Sequence, residues 1–99
     1  MNITTVITQD NINKGVCNSN DRCPIALSFE KHATVKHVSI FDDHAWLFMK
    51  HKDRSVTHVK QYDFCENMKK FVKSFDKGEA VKPQVFTFND ALLTSDKYL

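Results

Sequence analysis

The most constraining feature of the chain is one apolar stripe. Phe64, Met68, Phe71, Val72 and Phe75 fall at i, i+4, i+7, i+8 and i+11, which places them on one side of a helix with a 3.6-residue repeat. Glu66, Lys69, Lys70, Lys73 and Lys77 take the rest of the surface. Asp63 near the start and Lys73 and Lys77 near the end suit the helix dipole, and Gly78 supplies a stop. The pattern predicts an amphipathic helix near residues 62–77. Burying its five apolar side chains contributes roughly 1.5–3 kcal/mol each before entropy is counted.

Strand signals surround this helix. Ile3, Thr5 and Ile7 alternate with Thr4 and Val6, which predicts an opening strand. Thr8 is placed to cap a single helical turn that Gly15 ends in a left-handed conformation. Residues 16–22 are polar loop material. Pro24, after Cys23, favours a first helical turn, and Ile25, Ala26, Phe29 and Ala33 extend it to a helix at about 24–33. Three strands follow at 35–41, 45–49 and 55–59, turned by Asp42-Asp43 and by His51-Lys52-Asp53-Arg54. They read as an antiparallel meander. Ala45-Trp46-Leu47-Phe48-Met49 is apolar at both parities, as in a strand buried on both faces. Residues 83–88 form a last strand with Pro83 at its entry. In the tail, Ala91-Leu92-Leu93 is expected to pack or to form a short helical turn.

The expected element order is β-α-α-β-β-β-α-β, a small antiparallel sheet packed against two helices. With 99 residues and only two Gly and two Pro, the chain has no flexible linker, so residues 1–99 read as a single α+β domain. No run approaches the roughly 18 apolar residues of a membrane span, and the start lacks a basic, apolar leader. A cytoplasmic protein without membrane contact is the expectation. Three Cys is an odd number, which favours reduced thiols over a disulfide framework.

Few constellations point to chemistry. His37, His44, His51 and His58 recur every seven residues, after His32. A step of seven reverses strand parity and here crosses turns, so the repeat reads as exposed or edge-strand histidines rather than a metal site. Cys17 and Cys23 lack the spacing of a zinc pair, and Cys65 falls on the amphipathic helix. Cys23 precedes a helix and is the one candidate reactive thiol, because a helix N-terminus lowers a thiol pKa. Asp42-Asp43-His44 is read as a hairpin turn rather than an acid–base group. There is no phosphate loop, nucleophile elbow or HExxH motif. The expectation is therefore no enzyme, no cofactor and no metal.

Two basic groups remain. Lys50, Lys52 and Arg54 gather round one turn, and Lys69, Lys70 and Lys73 on one helix face. Together they are a candidate surface for nucleic acid or an anionic nucleotide, through phosphate contacts and stacking on nearby rings. A net charge of only +2 and the interspersed acids weaken that field.

Two stretches also resemble a known group. Ile7-Thr8-Gln9-Asp10-Asn11-Ile12-Asn13-Lys14-Gly15 leads to Cys23-Pro24-Ile25-Ala26-Leu27, and Phe71–Pro83 carries Phe-Asp-x-Gly-x-x-Val-x-Pro before Phe86-Thr87-Phe88. They resemble small uncharacterised proteins of bacteriophages and some bacteria, over about a third of the chain. Some of these carry a second Cys three residues before the Cys-Pro, where this chain has Asn20. The resemblance implies a phage-encoded accessory protein that engages a host protein in the host cytoplasm, with inhibition of host antiviral defence as one such role. The resemblance supplies no activity. Independently, the small size, the eight Phe and the missing catalytic constellation suggest a non-enzymatic protein-interaction domain, with a homodimer as one form.

Overall fold

The computed structural model describes residues 2–53 and 55–99. Its elements are β1 (Ile3–Ile7), α1 (Gln9–Lys14), α2 (Pro24–Ser28), β2 (Val35–Ile40), β3 (His44–Met49), β4 (His58–Asp63), α3 (Glu66–Asp76), β5 (Gln84–Phe88) and β6 (Leu93–Tyr98). A single 3-10 turn, Asp90–Leu92, precedes β6. The α+β class holds, with two antiparallel sheets instead of one. β1 and β5 form a two-stranded ribbon; the other sheet has the order β2-β3-β4-β6. No helix among the described residues is long and apolar enough to cross a membrane.

The amphipathic stripe does form the inner side of α3, burying Met68, Phe71, Val72 and Phe75. The helix starts later than expected, after Cys65. Phe64 is buried ahead of it, and its N–H donates to Asp43 O at 2.8 Å, extending the strand ladder. Tyr62, placed in the helix by sequence, instead points inward from β4, and β4 lies at 58–63 rather than 55–59. α2 stops at Ser28 because Phe29, Glu30 and His32 each donate to the residue three before, which closes turns rather than α-helix.

The turn at α1 is capped reciprocally: Asn11 N donates to Thr8 Oγ1 at 3.1 Å, and Thr8 N donates to Asn11 Oδ1 at 2.9 Å. Gly15 ends it in extended backbone (φ −64°, ψ 147°), not left-handed. The reason for glycine is space. A Cβ there would lie 2.8 Å from both Pro24 Cδ and Cγ. Gly78, after α3, has the left-handed φ of 79° expected of it.

The core unites both sheets and the helices. Ile3, Ile7, Phe86 and Phe88 of the ribbon meet Ile25 and Phe29, the α3 stripe, and the inner side chains of the larger sheet. Phe88 lies within ring contact of Phe29, Tyr62 and Phe64. The inner side chains are Val35, Val38 and Ile40 of β2, Ala45, Leu47 and Met49 of β3, and Tyr62 of β4. Among the described residues, the opposite face of this sheet carries no core residue packed against a helix. The strand expected to be buried on both faces, β3, is therefore covered on one.

Candidate functional site

Strand register organises the uncovered face into rows. Phe48 stands opposite His37 and Val59, with Lys97 beyond Val59. Trp46 stands opposite Ser39 and Gln61, with Ser95 beyond. His44 stands opposite Asp63. The Trp46 indole donates to Gln61 Oε1 at 3.1 Å, yet the side chain remains 40% exposed. Phe41 meets Trp46 edge-on at 5.2 Å and stacks on His44 at 4.6 Å, while His37 lies 5.6 Å from Phe48. Between Trp46, Phe48, Val59 and Leu99 lies a shallow apolar hollow of about 230 Å³. Asp43 bonds His44 Nδ1 at 2.6 Å, and that bond holds its carboxyl below the ordinary range.

A second arrangement lies where the other face of β4 meets β6. His58 Nε2 and Asp96 Oδ1 are 2.5 Å apart, and His58 Nδ1 lies 2.9 Å from His51 Nε2. A carboxylate only accepts, so His58 donates through Nε2; in its neutral form it then receives the Nε2–H of His51 at Nδ1. Tyr98, directly opposite His58 in the ladder, stacks on it at 4.1 Å with 12° between planes. Lys60 Nζ is 3.9 Å from Asp96 Oδ2. His58 is only 8% exposed, whereas His51 is exposed. The expectation of exposed or edge-strand histidines holds for His51 and fails for His58, which is buried on the interior strand β4 and which residue 51 reaches across the β3–β4 connection.

Cys23 meets a different fate from the one its position implies. It is buried, and burial pushes its thiol up to about 11. The backbone amides at Ile25 and Ala26 oppose that push without overcoming it. Asp76 adds to it. The five-residue α2 thus does not lower the thiol. Cys17 and Cys65 are the exposed thiols, and Cys17 Sγ donates to Phe75 O at 3.1 Å.

The basic groups fall at opposite ends of the larger sheet. Lys50 and Lys52 follow the C-terminal end of β3; Lys50 Nζ donates to His32 O at 2.9 Å. Lys69, Lys70 and Lys73 lie on α3, which starts just after Asp63, the partner of His44 at the other end of β3. Six strand residues separate the two ends, about 20 Å of chain. Lys69 is 3.6 Å from Glu66 on its own helix. Arg54 lies outside the described residues. Among the described residues no group of three or more His, Cys, Asp or Glu could hold a metal ion.

Asp96, Tyr98 and Leu99 sit in the tail that sequence leaves without a strand. Comparison with protein-family models, curated proteins and solved structures finds no match to this chain.

Proposed function

We propose that the chain is a non-enzymatic binding protein that docks a protein partner on the uncovered face of its four-stranded sheet. The carrying observation is Trp46: it is 40% exposed at the middle of that face, beside Phe48, Val59 and Leu99. Exposed tryptophan flanked by apolar side chains is the composition of a protein-interface hot spot. The charge on this face supports a protein over a polyanion, since Lys97 and Asp63 balance one another in the rows around Trp46.

The resemblance to phage proteins makes a host protein the expected partner class, and a defence factor one instance of it. The alternative reading, a nucleic acid or an anionic nucleotide held by lysines, draws support from the ring at every second position of β3. It is the weaker one, because Lys50 and Lys52 are remote from Lys69, Lys70 and Lys73, and none of the five shares the rows of rings.

The test is affinity capture with the wild-type chain, Trp46→Ala and a Lys69/Lys70/Lys73→Glu variant, each run at low and high salt. A stoichiometric protein lost with Trp46→Ala and retained by the lysine variant is the expected result. Capture that follows the lysines and weakens steeply with salt indicates the alternative.

A further inference from the structure

We propose that the depression beside His51 is a binding site for a phosphate-type oxyanion, and that the His51–His58–Asp96 chain takes up a proton as the anion binds. The depression, about 370 Å³, is lined by Lys36, Lys50, His51, Asp53 and Val56. It is a different surface from the rows around Trp46.

Two local features favour an anion there, and one opposes it. The first is a register shift between Val35 and His37, which makes Lys36 a bulge residue. A bulge breaks side-chain alternation and re-aims the extra residue; here Lys36 lines the same depression as Lys50 and His51. The second is Lys50, whose one bond to His32 O leaves further N–H groups for a ligand. Asp53, the one carboxylate among the described lining residues, works against an anion, and hydrogen bonds from Ser55 hold its carboxyl below the ordinary range. Its Oδ1 already accepts from Ser55 N at 2.9 Å and Ser55 Oγ at 2.7 Å, so that oxygen is tied into its own turn.

The histidine chain explains why binding of an oxyanion should draw a proton from solvent. His51 gives its Nε2–H to His58, so Nδ1 is its remaining ring nitrogen and carries the lone pair. An anion held by two ammonium groups beside that nitrogen favours its protonation. The resulting imidazolium donates onward to His58, which is already aligned on Asp96. The Tyr98 ring covers one side of His58. Lys60, near the second Asp96 oxygen, opposes the uptake, and Asp53 favours it. One proton moves from solvent to His51 Nδ1 per anion bound, and no bond to phosphorus forms or breaks.

The test is calorimetric titration of the full chain with inorganic phosphate near neutral pH, in two buffers of different ionisation heat, with ring-nitrogen NMR of the histidines. The expected result is one saturable site and a heat that differs between buffers by the uptake of up to about one proton. The His51 Nδ1 signal should move to its protonated position. Lys36→Met and Lys50→Met should each weaken binding by about 10-fold, the loss of a charge-assisted contact. Lys82→Met, outside the depression, should change nothing. Asp96→Asn should retain the lysine contacts but reduce proton uptake. Absence of saturation, equal binding by the Lys36 and Lys82 variants, or buffer-independent heat with an unmoved His51 signal would each overturn the proposal.

Discussion

His58 and Asp96 lie 38 residues apart in sequence and 2.5 Å apart in space. That contact fastens the last strand to the sheet from the side-chain side, in addition to the β4–β6 ladder. Asp96→Ala removes the acceptor and leaves a buried imidazole N–H without its partner. Urea denaturation should show a loss on the order of 1–3 kcal/mol. Ring-nitrogen NMR of the wild type should show both His51 and His58 with the proton on Nε2. A loss under a few tenths of a kcal/mol, or an Nδ1–H tautomer at His58, would contradict the hydrogen-bond direction.

Tyr62 presents the opposite situation. Its ring is fully buried against Phe88, but its hydroxyl has no hydrogen-bond partner among the described residues. Burial also pushes its ionisation up, with the Asp90 and Asp96 charges adding. Tyr62→Phe removes a polar atom that loses its water on folding, so stability should be unchanged or rise by about 1 kcal/mol. A clear fall in the denaturation midpoint would show that the hydroxyl has a partner.

Gly15 and Gly78 separate two reasons for glycine. At Gly15 the backbone is ordinary and the obstruction is Pro24. Gly15→Ala should therefore force α1 and α2 apart and destabilise by about 1–3 kcal/mol. At Gly78 nothing lies within 4 Å of an added Cβ, but φ is positive. Gly78→Ala should cost about 1–2 kcal/mol from backbone strain alone. An unchanged thermal midpoint for Gly15→Ala would contradict the packing of Pro24 on Gly15.

Cys23 gives a pH prediction with a definite sign. Its thiol is raised from 9.0 to about 11 in the fold, so the native state holds this proton more tightly than the unfolded chain. The associated stability is fully present below about pH 9 and is lost as pH rises from 9 to 11. The loss should be on the order of 2–3 kcal/mol, and Cys23→Ala should abolish this component. Iodoacetamide at neutral pH should label Cys17 and Cys65 well before Cys23. Early labelling of Cys23 in the folded protein would contradict its burial.

The parts of this fold that sequence reveals are those whose pattern is local. The α3 stripe, the Thr8 cap and the meander of β2, β3 and β4, though not the bounds of β4, follow from spacing or turn chemistry. β6 does not, because Leu93-Thr94-Ser95-Asp96-Lys97-Tyr98 lacks apolar alternation; it is a strand because β4 offers it a ladder and His58 a stacking surface. The site residues were illegible for the same reason. A run of apolar residues such as 45–49 reads alike whether both faces are covered or one is open. The meeting of His51 and His58 depends on how the intervening turn closes, which no periodicity encodes.

The central claim is that Trp46 anchors a protein partner rather than filling a core. Trp46→Ala should lower the urea midpoint only modestly, by the loss of the Gln61 hydrogen bond and the Phe41 edge contact, and leave the fold intact. The decisive measurement is capture by wild type, Trp46→Ala and Lys69/Lys70/Lys73→Glu side by side, with light scattering of each purified chain to detect self-association. The account expects one stoichiometric protein, a second copy of the chain included, that Trp46→Ala loses and the lysine variant keeps. A partner retained by Trp46→Ala, or a monomer that captures nothing, would contradict it.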